Sequence, residues 1–469
     1  MGFLINALAF LFVLGAAMAL HEFGHFIVAR LLKIRVEVFS FFGLGPRLFG
    51  FRRGNTDYRV SLIPLGAYVK LGGDESNAPI EGGAGAPDIP PEEEFNLRPR
   101  WQKIAVAVAG PVMNILTALA IPFVGALMFG VPTTPTPIVR NVQSNSAAAV
   151  AGLQNGDRII SFNGTENPKW DTIRGDILLS PEQPLPLVVE RNGQRLPLTL
   201  TPAKKTENSE AIGEAGFLPD YGDVPVIVRS VEPGSPAEEA GLQVGDRILA
   251  IGDEPVSSDE QVQQYVRDHK AEPIRLMIAR SSNGERKELT AHARRLADGS
   301  ERLGFGLEQI NPRQNAGIAT AAGFAVRINL EILRLTGKAF GQLFAGHRSA
   351  SNTISGPIGI ARAVSTSVNE FGWAGLFSIL GFLSLSLGVF NLLPIPVLDG
   401  GTIFLLLVES VLSWIGLKMS STLRERIQYV GLAMLVLLMG FVITNDLRKE
   451  VTIRRNANDQ PAATAAPAK

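Results

Sequence analysis

The chain contains no cysteine. That absence excludes a disulfide scaffold, thiolate metal sites and a cysteine nucleophile, so a metal centre here must use histidine and carboxylate. Histidine is itself scarce, at 5 in 469 residues. Neither sign of charge is in excess, since Lys plus Arg and Asp plus Glu both number 44. Zero net charge removes the compositional case for a nucleic-acid partner, which calls for a strongly basic surface. Charged residues are also few, at 19%, and their shortage is concentrated rather than spread.

Met1 to Leu20 holds no charged residue, and apolar sequence resumes from Phe26 to Ala29. A helix through it rises about 1.5 Å per residue and can cross a hydrocarbon core of about 30 Å. Ala17-Met18-Ala19 resembles a signal-peptide cleavage site, but no Lys or Arg precedes the apolar run, which favours a retained helix. Further charge-free stretches run over 104–131, 372–398 and 427–445. The apolar stretch 402–416 is only 15 residues long and carries Glu409, which predicts a helix at the membrane surface rather than a fifth span.

Eight basic residues lie between Arg30 and Lys70 and none precedes the first span. The positive-inside rule therefore puts 30–103 in the cytoplasm and 132–371 outside. Arg448, Lys449, Arg454 and Arg455 oppose the outward carboxyl terminus that four spans would give.

The exported region repeats. Ala151-Gly-Leu-Gln-Asn-Gly-Asp-Arg-Ile159 recurs as Ala240-Gly-Leu-Gln-Val-Gly-Asp-Arg-Ile248, a shift of 89 residues that also carries Val139 onto Val228 and Ser146 onto Ser235. A constant shift over such a length means two copies of one small domain, each expected to hold short strands and a short helix. The pattern is similar to the circularly permuted bacterial PDZ domain, with Ile212 to Phe217 and Leu303 to Gly306 resembling its carboxylate-binding loop. The resemblance implies that each copy takes an extended peptide or chain end at a sheet edge; the alternative is a spacer without ligand.

Chemistry gathers in the first span, at His21-Glu22-Phe23-Gly24-His25. Positions i and i+4 share a helix face, so both imidazoles can reach one ion, and Glu22 stands beside them to take a proton from water. Ionisable groups inside a span are costly, which argues against three idle polar neighbours. Two histidines leave a catalytic zinc one ligand short, and His269, His292 and His347 lie on the exported side. Asp399, in Asn391-Leu-Leu-Pro-Ile-Pro-Val-Leu-Asp-Gly400, stands at the inner end of the third span, at the depth of the histidine pair. Pro394 and Pro396 forbid regular helix there, and broken backbone at membrane depth belongs where it lines a cavity or is buried. The alternative role for Asp399 is a cap for the following helix.

An intramembrane H-E-x-x-H, a later N-x-x-P-x-P-x-L-D-G and two intervening PDZ-like copies together resemble the site-2 protease family of intramembrane zinc metalloproteases, in its bacterial branch with tandem PDZ domains. The likeness runs from Met1 to about Arg448. It implies that His21, His25 and Asp399 bind Zn2+, that Glu22 is the catalytic acid and base, and that Asn391 holds substrate backbone near the scissile bond. Gly110-Pro-Val-Met-Asn114 resembles the family's second-helix motif. Ser61 to Lys70 resembles its membrane-associated β-hairpin, which implies substrate contacts at Gly66, Ala67 and Tyr68. One departure is Thr402, where members often carry His after Asp-Gly-Gly.

The expected fold class is a multi-pass α-helical membrane protein with four transmembrane helices, a membrane-associated β-hairpin and two α+β circularly permuted PDZ domains. The expected boundaries are a membrane domain in two parts (1–131 and 347–455), PDZ domains at 132–222 and 223–309, an amphipathic surface helix at 310–346 and a disordered tail at 456–469. In the helix region, Arg327, Glu331, Arg334 and Lys338 fall largely along one side, as for a helix on the outer leaflet. The family likeness implies an endopeptidase of the bacterial inner membrane, with periplasmic PDZ domains and the active site towards the cytoplasm. Its implied substrates are single-span proteins of the anti-sigma-factor class, cut after a first protease, and remnant signal peptides. Two other readings are a membrane-tethered PDZ scaffold with a structural zinc, which has no need of Glu22, and a zinc transporter, for which the spans show no inverted repeat.

Overall fold

A computed structural model describes the chain except residues 1, 64–65, 74–88, 208–209, 221, 223–224, 257–258, 270–271, 296–300, 310–312, 347–353, 418 and 459–469. Contacts divide it into two units. One comprises Met1–Met128, Ala316–Leu333 and Ser349–Arg448, the other Phe129–Asn315, Arg334–Arg348 and Lys449–Lys469.

Among the described residues six long helices run in chain order as α1 (Gly2–Leu31), α2 (Arg100–Phe129), α3 (Ile318–Phe344), α4 (Pro357–Asn391), α5 (Asp399–Trp414) and α6 (Ser421–Asn458). Of these, α1, α2, α4 and α6 are long and apolar enough to cross a membrane. Val13 and Ala17 of α1 pack with Val364, Leu376 and Leu380 of α4, while Leu4, Leu8 and Phe12 stay exposed, as expected for a helix that faces lipid on one side. Helix α4 begins 15 residues before the charge-free stretch at 372 and contains a break at Gly372 (φ 59°, ψ −132°). Arg362 and Glu370 lie in its first part, so absence of charge placed the start too late.

Charges on these helices find partners on neighbouring ones. Glu409 of α5 pairs with Arg424 of α6 and lies 4.0 Å from Arg100 of α2. Buried Asp446 of α6 accepts from the amides of Gly356, Ile358 and Gly359 at 3.0, 3.0 and 3.1 Å. It thereby caps α4 from a neighbouring helix, where the helix dipole favours a negative charge.

Between α1 and α2 the chain forms β1 (Val36–Phe42), β2 (Leu44–Arg53), β3 (Thr56–Ile63) and β4 (Tyr68–Leu71), in the order β2-β3-β1-β4. The stretch Ser61 to Lys70, read above as a hairpin, is therefore divided: β1 lies between β3 and β4, parallel to the former and antiparallel to the latter. The hairpin lies upstream, in antiparallel β2 and β3. Burial explains the order. Val36, Val38 and Phe39 give β1 a buried apolar character that suits an interior strand, whereas β2, with Arg47, Arg52 and Arg53, is exposed at the edge.

The second unit contains the repeat. Strands β5 (Thr136–Val142), β6 (Arg158–Phe162), β7 (Leu185–Arg191), β8 (Gln194–Leu200) and β9 (Phe217–Asp220) form a sheet ordered β8-β7-β6-β5-β9. Strands β10 (Val226–Val231), β11 (Arg247–Ile251), β12 (Pro273–Ala279), β13 (Arg286–His292) and β14 (Phe305–Gln309) repeat that order as β13-β12-β11-β10-β14. Each sheet has a sixth, two-residue strand on its central member. Each copy holds two helices rather than one, Ala147–Val150 with Trp170–Leu179 and Pro236–Glu239 with Asp259–Asp268.

The 89-residue shift is structural. Core residues Ile159, Phe162 and Ile173 recur as Ile248, Ile251 and Val262, all at most 2% exposed. Ser146 and Ser235 cap the first helix of each copy. The residue before each cap is left-handed, Asn145 at φ 60° and Gly234 at φ 70°, a conformation that Asn and Gly adopt more readily than other residues. The motif aspartates are fully buried ion-pair partners: Asp157 accepts from Arg191 at 2.7 Å and Asp246 from Arg280 at 2.8 Å. Asp157→Ala and Asp246→Ala are each expected to destabilise their own domain by about 1–3 kcal/mol, because the Gln154 or Gln243 amide loses its acceptor while the partly exposed guanidinium is hydrated instead. Chemical denaturation of the isolated exported region checks this; unchanged midpoints would refute it.

Helix α3 is divided between the units. Within the first, Asn329 donates to Ala118 O at 3.0 Å. Within the second, Arg334 and Lys338 close on buried Asp176 at 2.9 and 3.0 Å. Two of the four charges assigned above to a leaflet-facing side thus meet a carboxylate of the first repeat, a partner 158 or more residues away in sequence. In the tail, α6 continues through Asn458; residues 459–469 and His347 lie outside the described residues.

Candidate active site

Helix α1 puts His21 and His25 one turn apart on the same face, with Nε2 atoms 3.2 Å apart. With the proton of each ring on Nδ1, the two Nε2 lone pairs repel each other at that distance unless a cation joins them. Asp399 completes the group, its Oδ2 3.0 Å from His21 Nε2 and its Oδ1 3.5 Å from His25 Nε2. Donors on a tetrahedral ion with bonds of 2.0–2.1 Å stand about 3.3 Å apart, and the three separations bracket that value. The donor set, two imidazoles and a carboxylate, therefore fits zinc.

Asp399 is brought in by the irregular segment after α4. It is the first residue of α5, whose N-cap is Leu398 without a side-chain cap bond. Its carboxylate faces the histidines, which distinguishes it from a simple cap.

Both imidazoles are held from behind. His25 Nδ1 lies 2.7 Å from Val106 O; a carbonyl only accepts, so Nδ1 carries the proton and Nε2 is left free. His21 Nδ1 lies 3.2 Å from the Asn114 amide. That side chain is fully buried, and its Oδ1 has no partner among the described residues. Turning the amide end for end puts Oδ1 on His21 Nδ1–H, where it accepts that proton. Gly110, on the same helix, presses against both rings: a Cβ there would lie 2.3 Å from His25 Nε2 and 2.8 Å from His21 Cε1. Asn114 and Gly110 stood in a motif noted from sequence, but neither had been given a role. Their signal was spacing, four residues apart on one helix face.

Glu22 lies beside the ligands, and one donor atom from each of His21, Glu22 and His25 falls within 4.8 Å of the others. Its Oε2 accepts from the Val69 amide at 3.1 Å. Packing sets this contact. Phe26, one turn beyond Glu22, stacks on Phe39 of β1 with ring centroids 4.8 Å apart, and Phe39 is the β-ladder partner of Val69. The Asn391 amide nitrogen lies 3.3 Å from His21 Nε2. Gly66, Ala67 and Tyr68 lead into β4; Gly66 O accepts from Gly43 N at 2.7 Å, and the buried Tyr68 ring lies under Arg59. His269 and His292 belong to the second repeat and take no part.

Membrane-length helices with a ligand triad and an adjacent carboxylate at the end of one of them define a membrane metallohydrolase. The model of peptidase family M50 matches residues 9–438. The chain is 31% identical over 470 residues to the regulator of sigma-E protease RseP of Salmonella typhimurium, covering 95% of this chain and 98% of that one. Its identity to the Escherichia coli protein of that name is 30% over 479 residues, with 96% and 100% covered. A putative zinc metalloprotease of Neisseria meningitidis is 33% identical over 462 residues, with 94% and 98% covered. Among solved structures, the PDZ domain of an SdrC-like protein from Listeria monocytogenes matches 18% of this chain and 85% of that one, at 20% identity and a TM-score of 0.16. The chain belongs to peptidase family M50, and it is a metallopeptidase with four helices long and apolar enough to cross a membrane.

Proposed function

We propose that the protein is a zinc-dependent endopeptidase of a bacterial inner membrane that cuts single-span proteins within or near the bilayer. The observation that carries this reading is the convergence of His21, His25 and Asp399 at 3.0–3.5 Å beside Glu22. Zinc held by these three residues supplies a Lewis acid for the scissile carbonyl and lowers the pKa of water to about 7. His21 and His25 present Nε2 because Asn114 and Val106 engage their Nδ1 protons. Glu22 takes a proton from the attacking water and returns it to the leaving nitrogen. Asn391 donates to substrate backbone next to the cut.

A helical substrate hides its peptide groups in its own hydrogen bonds, so the segment to be cut must unwind. In a medium without water the freed groups need new partners, and a sheet edge offers them. Strand β4 lies against Glu22 and receives that segment. Gly66, Ala67 and Tyr68 contact it through backbone groups, since the Tyr68 ring is already covered by Arg59.

The names of the relatives support an anti-sigma factor as substrate, cut after a first protease has removed its exported domain. With 30–103 inside, the PDZ domains, 132–222 and 223–309, are periplasmic, bind a peptide or chain end, and exclude substrates that still carry a folded domain. Remnant signal peptides, single spans with no folded exported part, pass the same filter. The zinc-loaded protein in detergent is expected to cleave a single-span substrate trimmed on its exported side and to spare the same substrate with that domain intact. Equal cleavage of both would remove the filter, and cleavage of neither would overturn the peptidase reading.

A further inference from the structure

The proposed general base and the proposed substrate strand share one hydrogen bond. Among the described residues β4 pairs with no strand but β1, so it stands at the edge of the sheet. Along an edge strand every second residue turns its amide outward. Val69 does so, and its outward N–H is engaged by Glu22 Oε2 at 3.1 Å. A substrate strand added to this edge needs the same N–H for one of its carbonyls.

We infer that the Val69 amide is a positioning group that holds Glu22 while the site is free of substrate, and that strand addition on β4 takes this N–H and releases the carboxylate towards the scissile bond. The inference rests on the β4 reading above and deepens it. A half-buried carboxylate without a donor is costly, so the free enzyme gains from this amide. A substrate carbonyl arriving at β4 brings its own need for a donor, so filling the edge and freeing Glu22 become one event. A ligand that reaches the metal without pairing on β4 leaves Glu22 tethered. Cleavage is thereby tied to an unwound, strand-paired substrate rather than to any peptide bond near the metal.

The test uses two variants unable to cleave. Glu22→Gln keeps an oxygen that accepts from Val69 N–H; Glu22→Ala leaves the N–H free. The probe is a fluorescein-labelled leucine-alanine span of about 20 residues, flanked by lysines and carrying a central Gly-Ser. Its binding to the full-length, zinc-loaded proteins in detergent is read by fluorescence anisotropy. Glu22→Ala is expected to bind it about three- to ten-fold more tightly than Glu22→Gln, the range of one net hydrogen bond. Adding Val69→Pro, which removes the N–H on an edge where proline is tolerated, is expected to erase the difference, whereas Val69→Ala is expected to preserve it.

Equal binding by Glu22→Ala and Glu22→Gln overturns the inference even if Val69→Pro fails to fold. If Val69→Pro weakens Glu22→Ala while the two Glu22 variants bind alike, the tether is wrong but β4 still receives substrate. If Val69→Pro folds, holds zinc and leaves Glu22→Ala unchanged, the β4 reading itself fails.

Discussion

Glu22→Gln is expected to retain zinc and fold but to lose about 10²–10⁴-fold in the rate of peptide-bond cleavage, the range general acid–base catalysis supplies. The substitution keeps the shape of the side chain and an oxygen that can accept from Val69 N–H at the present 3.1 Å. It removes only the ability to take up a proton and give it back. None of the three ligand separations involves Glu22, so metal content should not change. Single-turnover cleavage of a trimmed single-span substrate, with zinc measured on the same sample, checks both halves. Activity near that of the unsubstituted protein would remove Glu22 from the mechanism; loss of zinc together with activity would make it a ligand rather than a base.

Gly110→Ala is expected to abolish zinc binding and activity together. The added methyl group would stand 2.3 Å from His25 Nε2, 2.7 Å from His25 Cε1 and 2.8 Å from His21 Cε1. Neither ring can swing aside without breaking its Nδ1 hydrogen bond, to Val106 O or to Asn114. The clash therefore displaces Nε2, the atom that faces the metal, and metal affinity should fall by more than the 10–100-fold typical of losing one outer-shell partner. Overpacking costs about 1–3 kcal/mol, small enough for the helices to remain assembled. The check is zinc per chain alongside a thermal melt: zinc lost with the helical signal retained is the expected pair, and a fully loaded, active protein would refute the close approach.

Much of the site can be read from the sequence because its parts are local or follow from topology. His21, Glu22 and His25 are joined by a single helical period, and Asp399 reaches their depth because two spans place it there. Less legible were groups whose partners are remote. Arg191 and Arg280 complete the buried aspartates of the repeat from 34 residues away, and Arg334 and Lys338 find Asp176 across more than 150 residues. Sheet order is hard to read from sequence for a related reason: Ser61 to Lys70 has the local look of a hairpin, but the strong apolar character of β1 draws it between β3 and β4. The partners that fix His25 and Glu22, Val106 O and Val69 N–H, are backbone atoms that any residue would supply, so no sequence pattern marks them.

The central claim is that His21, His25 and Asp399 together hold one zinc ion. X-ray absorption at the zinc edge, on the full-length protein and on Asp399→Ala, tests it most directly. The account predicts two imidazole nitrogens and oxygen donors at about 2.0–2.1 Å in the unsubstituted protein, and loss of bound zinc in Asp399→Ala. Full zinc retention in Asp399→Ala, with an unchanged coordination shell, would contradict it.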